Sequence, residues 1–212
     1  MSTPQSYYVP ADAGEAEFTE KRSRFLGHVR RVETEAEARA FLDEMRKKYY
    51  DARHNCWCYI LHEGGVVRYG DDGEPQGTAG QPMLNVFQRE GMENVVCVVT
   101  RYFGGVLLGA GGLTRAYAKS AKDALDAAGK ARMRLWSAVT VDCPYPMLER
   151  LKLLAAAHGG TVEGTDFGAA VSVHILLPRE NAAGFDAALT ELSAGAMTAR
   201  REGERFLPGP RE

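Results

Sequence analysis

The run Val95-Val96-Cys97-Val98-Val99, with the glycine-rich and helical segments that follow it, decides the fold of the first part of this chain. An uninterrupted apolar, β-branched run is typical of a strand that is buried on both faces. Residues 101–112 contain five glycines, and apolar residues then recur at helical spacing over 113–128 until Gly129 provides a stop signal. The sequence therefore predicts a buried strand, a glycine-rich turn and a helix.

Upstream of this run, the pattern predicts a helix followed by a hairpin. Thr34 and Glu37 form a capping box, in which we expect the hydroxyl to accept from the third helical amide and the carboxylate to accept from the cap amide. The helix continues to about Tyr50. Residues 56–61 and 66–69 then read as two paired strands, with Cys56 and Cys58 on one face.

Downstream of about residue 135, the hydrophobic pattern restarts. It predicts strands at 137–143, 161–165, 169–177 and 196–206, and helices at 146–158 and 180–193. This β-α-β-β-α-β order is the ferredoxin-like arrangement. We therefore expect an α+β protein with a first domain at 1–135, a ferredoxin-like domain at 136–206 and a loose tail at 207–212. Limited proteolysis near 134–137 should separate the two domains.

Composition limits the class of protein. The 212 residues are 45% hydrophobic and 25% charged, which excludes a disordered or fibrous chain. The net charge of −2 argues against coating of DNA without sequence preference. No run reaches the length of a membrane span, and residues 1–17 do not resemble a secretory signal. The four cysteines show no C-x-x-C spacing, so we expect reduced thiols and a cytoplasmic location.

The glycine-rich segment is the candidate anion or nucleic-acid site. Glycines at a helix start allow backbone amides to turn toward an anion, which the helix N-terminus also attracts. Basic residues at i, i+4 and i+7 on the helix, namely Arg115, Lys119 and Lys122, extend a track for phosphates. The predicted site residues are Arg101, Gly104, Gly105, Gly109, Gly111, Gly112, Arg115 and Lys119.

The alternative is that these glycines only permit a tight turn and close packing of helix on sheet. A Gly111→Val substitution should be more damaging to binding than loss of the cations, because a side chain blocks the backbone and strains any positive φ. The segment matches neither the P-loop nor the G-x-G-x-x-G pattern.

A second glycine-rich loop, residues 71–80, provides supporting candidates. Asp71, Asp72 and Glu74 can gather a magnesium ion, or they can hydrogen-bond the amides of an exposed turn. His54 can carry a proton, or it can be a structural histidine, and Cys56 in its apolar run reads as an inert core thiol. We expect no metal site, no cofactor and no catalytic group.

Four motifs resemble those of one known family. They are Lys21-Arg22-Ser23-Arg24-Phe25, Ala52-Arg53-His54-Asn55-Cys56, Asp71-Asp72-Gly73-Glu74-Pro75 with Gly77-Thr78-Ala79-Gly80, and Arg101-Tyr102-Phe103-Gly104-Gly105 with Leu108-Gly109-Ala110-Gly111-Gly112-Leu113. In this order they resemble the Impact/YigZ family (UPF0029), and residues beyond about 130 resemble the smaller C-terminal domain of its bacterial YigZ-type branch.

The resemblance implies a first domain with the fold of the second domain of ribosomal protein S5, and a second domain similar to a late, ferredoxin-like domain of elongation factor G. In eukaryotic members it implies control of translation during amino-acid starvation, through a kinase of an initiation factor. Those members carry an additional N-terminal RWD domain, which we do not expect here, so the kinase role is not carried over.

The leading hypothesis is a non-catalytic, translation-associated binding protein that contacts RNA, the ribosome or a translation factor through the glycine-rich anion site. The alternative is an enzyme that uses the same loop to hold the phosphate of a nucleotide or another small molecule. A third reading is a protein-interaction module with Tyr102 and Phe103 in its interface. We expect no membrane partner, and the sequence leaves the oligomeric state open.

Overall fold

The computed structural model describes residues 6–212, which form two compact units. One unit contains Ser6–Met133 together with Pro208–Glu212, and the other contains Arg134–Leu207. The predicted first domain begins at residue 1, and residues 1–5 lie outside the described part of the chain.

The described residues form strands and helices in mixed order. The strands are β1 (Tyr8–Pro10), β2 (Gly14–Glu20), β3 (Ser23–Arg31), β4 (His54–Ile60), β5 (Val67–Gly70), β6 (Val95–Tyr102), β7 (Lys130–Cys143), β8 (Thr161–Phe167), β9 (Val171–Pro178) and β10 (Ala199–Arg211). The α-helices are α1 (Glu35–Lys48), α2 (Gly80–Arg89), α3 (Ala110–Ala128), α4 (Leu148–Ala157) and α5 (Ala182–Ser193). None of these helices is both long enough and apolar enough to cross a bilayer.

The sheet of the first unit has strand β6 at its centre. Its order is β2-β3-β6-β4-β5, and every pair is antiparallel. Val95, Cys97 and Val99 lie in one core cluster with α2 and α3, whereas Val96 and Val98 lie in another cluster with α1. The prediction that this run is buried on both faces is confirmed, because helices cover both sides of the sheet.

Helix α1 begins as its capping residues predict, with one difference. The Thr34 hydroxyl accepts a hydrogen bond from the Glu37 amide at 3.2 Å. The Glu37 carboxylate accepts from the amide of Glu33 at 2.7 Å, so it reaches one residue beyond the expected cap amide. The first bond satisfies an N–H group that the helix start leaves unpaired, and the second ties the residue before the cap to the first turn.

The structure differs from the predicted elements in two places. Helix α3 begins earlier than its apolar pattern predicts, and the pattern did not predict strands β1 and β2 before β3. Helix α3 begins at Ala110, three residues before the first apolar residue of its pattern. Strand β2 pairs with β3 along its whole length, and its small or apolar residues at 14, 16 and 18 alternate with exposed polar residues at 15, 17 and 19. This alternation is typical of a strand with one buried face, and pairing with β3 and packing against α3 stabilise it.

In the second unit, the strand order is β10-β7-β9-β8, and α4 and α5 pack into one core with the sheet. The core includes Val141, Ile175, Leu151 and Phe185, all of which are buried. This is the strand order of the ferredoxin-like arrangement, so the predicted α+β class is confirmed.

The expected tail at 207–212 is wrong. Strand β10 continues to Arg211, and Pro208–Glu212 belong to the first unit. The amide of Glu212 donates to the carbonyl of Lys130 at 2.7 Å, and the Arg211 side chain donates to the carbonyl of Ala127 at 2.9 Å. These bonds hold a segment whose prolines and glycine alone suggest a turn.

We propose that residues 134–207 fold as an independent domain, and we revise the expected proteolysis. Trp136 and Ser137 are buried within β7, so a protease should not cut at 134–137 in the native protein. A fragment of residues 134–207 should unfold cooperatively and give dispersed amide NMR signals. A fragment that stays unfolded would contradict the independence of this domain.

Candidate functional site

The glycine-rich segment leaves the end of β6 and begins α3 without a side-chain cap. Gly109 is the N-cap residue, and its φ of 72° and ψ of 166° favour glycine. The amide of Leu113 bonds to the carbonyl of Gly109 at 3.0 Å. The amides of Ala110, Gly111 and Gly112 have no acceptor within residues 6–212, so they remain available to an anion.

The five predicted glycines have different roles. A Cβ on Gly104 would lie 2.0 Å from the backbone of Arg22, so this glycine permits close packing. Gly105 adopts a φ of 82° in the turn, and a Cβ on Gly112 would lie 2.9 Å from the Leu108 side chain. Gly111 lies in the helix without a positive φ, so Gly111→Val would not cause the backbone strain that a positive φ implies, and its expected effect on binding rests on blocking the backbone alone.

A cavity of about 360 Å³ lies beside the start of α3. Its lining includes residues from β4, the 71–80 loop, β6 and the segment that leads into α3, among them Arg53, His54, Glu74, Arg101, Phe103 and Leu107. Because β4 and β6 are antiparallel, His54 and Arg101 are cross-strand partners. The register of the sheet thus places two predicted site residues from distant parts of the sequence at one cavity.

Arg101 and Glu74 form a buried ion pair in this cavity. The Arg101 guanidinium donates to Glu74 Oε1 at 2.7 Å and to Ser23 Oγ at 3.2 Å. The Tyr117 hydroxyl also donates to Glu74 Oε1, at 2.8 Å, and burial raises the pKa of Tyr117 far above its usual value. Arg101 Nε finds no acceptor within residues 6–212, which leaves one N–H of a buried cation unpaired.

His54 has one ring nitrogen bound to the protein. Its Nδ1 lies 2.9 Å from the carbonyl oxygen of Asp72, which can only accept, so Nδ1 carries the proton. Its Nε2 is then available as an acceptor when the ring is neutral. His54 is therefore oriented by the 71–80 loop.

Asp71 and Asp72 act as anchors of that loop. The Asp71 carboxylate accepts from the amides of Gly77 at 2.8 Å, Ala79 at 3.1 Å and Gly80 at 2.8 Å. The Asp72 carboxylate accepts from the Asn55 amide at 2.7 Å. Within the described residues, no three His, Cys, Asp or Glu side chains are grouped as ligands for a metal ion. The geometry agrees with the amide-binding alternative for these carboxylates.

Cys56 lies behind this loop as a buried free thiol. Its Sγ donates to the carbonyl of Asp71 at 2.9 Å, and burial raises the pKa of the thiol far above its usual value. A thiolate is the nucleophilic form, so burial of this thiol disfavours a nucleophilic role, as the sequence predicts.

Two basic residues of α3, Arg115 and Lys119, line a second, smaller cavity of about 160 Å³. Gly112, Lys21 and the acidic residue Glu20 also line it. Lys119 forms an ion pair with Asp123 and lies 4.9 Å from the ring centre of Phe18. Arg115 is exposed and has no acidic partner within residues 6–212.

The predicted site residues therefore divide between two cavities at the start of α3. Arg101, His54 and Glu74 line the larger cavity, whereas Arg115 and Lys119 line the smaller one. The third cation of the predicted track, Lys122, forms ion pairs with Asp126 and Glu90. Arg53 and Leu107 line the larger cavity but were not among the predicted site residues. Their positions depend on the register of the strands and on the path of the glycine-rich turn, which the sequence does not show.

Known proteins identify the family of this chain. The Impact N-terminal domain matches residues 21–125, and a domain of unknown function (DUF1949) matches residues 141–196. The chain is 32% identical to the IMPACT family member YigZ of Escherichia coli over 91% of this chain and 96% of that protein. It is 41% identical to the IMPACT family member YvyE of Bacillus subtilis over 69% of this chain and 68% of that protein.

A solved structure agrees with this relationship. The crystal structure of a hypothetical protein is 31% identical and matches with a TM-score of 0.59, covering 94% of this chain and 97% of that one. The chain belongs to the Impact family, and the resemblance seen in its motifs is confirmed.

Proposed function

We propose that this protein is a translation-associated binding protein that contacts RNA, the ribosome or a translation factor through the start of α3. The observation that carries this proposal is the uncapped helix start with exposed Arg115 one turn later. Free amides and an unpaired arginine on adjacent turns are suited to phosphate groups. The family resemblance supports the link to translation, and the free, buried cysteines support a cytoplasmic location.

The charges of the site favour a few local phosphate contacts over binding through a broad basic surface. Lys119 and Lys122 are already paired with carboxylates of the same helix, so they contribute less net charge than the sequence suggests. We therefore expect few phosphate contacts and a shallow dependence of binding on salt.

The test is RNA binding by a variant with Arg115→Ala and Lys119→Ala. Affinity should fall, and the slope of log K against log salt should decrease by about one for each phosphate that the variant no longer neutralises. Exposed charge changes cost within about 0.5 kcal/mol of stability, so the melting temperature should stay close to that of the parent protein. Filter binding at several salt concentrations measures the affinity and its slope, and thermal unfolding measures the stability.

A matched control is available on α4. Arg150→Ala with Lys152→Ala removes the same charges, and Lys152 is paired with Glu149 much as Lys119 is paired with Asp123. This control should bind RNA as the parent does. Equal RNA binding by the parent, the α3 variant and the α4 control would contradict an RNA site at α3. It would favour the alternative of a protein-interaction module, in which exposed Phe103 contacts a partner protein.

The enzyme alternative has one observation in its favour, the cavity beside the glycine-rich segment. Its expected magnesium ligands, Asp71 and Asp72, are engaged by backbone amides. Release of phosphate from nucleoside triphosphates by the purified protein, abolished by a change at the cavity, would favour the enzyme.

A further inference from the structure

The larger cavity combines an apolar wall with cationic groups. Phe103 and Leu107 are exposed beside it, at 44% and 81% of their full accessibility. Its polar side chains are those of Arg53, His54, Arg101 and Glu74. A cavity of about 360 Å³ with this lining has the size and character of a site for a small organic molecule.

Arg101 is the observation that points to a ligand. Its residue is only 5% exposed, and its guanidinium carbon lies 5.5 Å from the ring centres of both Phe25 and Phe103. A buried donor without an acceptor costs free energy, which an acceptor on a ligand would offset. Arg101 Nε is such a donor within residues 6–212, and because Arg101 lines the cavity, a shift of its side chain toward a bound oxygen would satisfy this donor.

The charge at the cavity favours an anion. The charge of Arg101 is offset by Glu74, which also lines the cavity. Arg53 is exposed and has no acidic partner within residues 6–212, so its charge is not offset by an ion pair. Ala110 brings the positive end of the α3 dipole and a free amide to the same place.

These groups favour a phosphate that carries a flat, apolar group. A helix start with several free amides matches the multiple oxygens of a phosphate. The Phe103 ring, with Arg101 beside it, is a surface on which a base can stack. We propose that this cavity binds a nucleoside monophosphate or a phosphorylated molecule of that shape, with the phosphate near Arg53 and the α3 amides.

This inference rests in part on the proposed function, because both use the free amides at the start of α3. They differ in their side chains, since RNA contact needs Arg115 and Lys119, whereas the cavity needs Arg53, Arg101 and the space beside Ala110.

Calorimetric titration of the full chain with AMP and with UMP tests the proposal. We expect saturable 1:1 binding at millimolar concentration or below, and weaker binding of adenosine and of inorganic phosphate. Arg53→Ala should weaken AMP binding about tenfold, as expected for one charge-assisted contact. Ala110→Phe should abolish binding by filling the cavity.

Two controls keep the result specific. Arg89→Ala removes another exposed arginine without an ion pair in the described chain, and Ala127→Phe adds the same side chain at the far end of α3. Both should bind AMP as the parent does. Melting temperatures of all variants establish that they are folded.

The outcomes separate the two proposals. No saturable binding of either nucleotide, or an affinity for AMP that Arg53→Ala and Ala110→Phe both leave unchanged, overturns the cavity proposal even when RNA binds. AMP binding that is about tenfold weaker in Arg53→Ala and lost in Ala110→Phe, but persists in Arg115→Ala with Lys119→Ala, supports it even when RNA does not bind.

Discussion

Arg101→Met should destabilise the protein by about 3–5 kcal/mol, the largest effect that we expect from a single substitution. Methionine has a similar length, so packing between Phe25 and Phe103 is largely kept. The substitution leaves the Glu74 carboxylate buried without its cation, and only the Tyr117 hydroxyl remains as a side-chain donor within residues 6–212. Unfolding in urea, followed by circular dichroism, measures the change.

The double variant Arg101→Met with Glu74→Leu is the control for this expectation. Removing both charges avoids a buried, unpaired carboxylate, so the double variant should recover most of the loss. A single variant that loses less than about 1 kcal/mol would show that water reaches Glu74, and the ion pair would then not be a buried one.

Asp71→Ala should destabilise the protein by about 3 kcal/mol. The carboxylate accepts three backbone amides across residues 77–80, and the alanine leaves these donors without a partner. Gly80 is the first residue of α2, so the loss extends to the start of a helix that packs in the core. Asp71→Asn keeps one acceptor oxygen and should cost less.

Asp72→Ala provides the comparison, since Asp72 accepts the Asn55 amide alone within residues 6–212 and its residue is exposed. We expect a loss of about 1 kcal/mol for this variant, measured by the same urea titration. Equal, small losses for both variants would show that the loop does not depend on Asp71.

Local sequence patterns predicted the elements whose signals are complete within a few residues. The apolar run that buries both faces of β6 lies in five consecutive residues, and Thr34 with Glu37 defines the start of α1. The ferredoxin-like order follows from the sequence of strands and helices after residue 135. By contrast, β2 has a short alternating pattern, but its contact with the distant helix α3 cannot be read from its own residues.

The candidate site was predicted less completely, because its geometry arises from pairing of distant residues. The sequence places Arg101 beside the glycines but gives no sign that Glu74 neutralises it. Nor does it indicate that His54 is the cross-strand neighbour of Arg101. Asp71 and Asp72 have the composition of a metal loop, and only the amides around them reveal a structural role.

The return of residues 208–212 to the first unit affects the order in which the protein matures. During synthesis the ribosome completes Ser6–Met133 long before it adds Pro208–Glu212, and the whole of Arg134–Leu207 emerges in between. The backbone bond between Glu212 and Lys130 can therefore form only after both units have been synthesised. A nascent chain arrested near residue 135 would hold a first unit in which the Lys130 carbonyl lacks the partner that Glu212 provides.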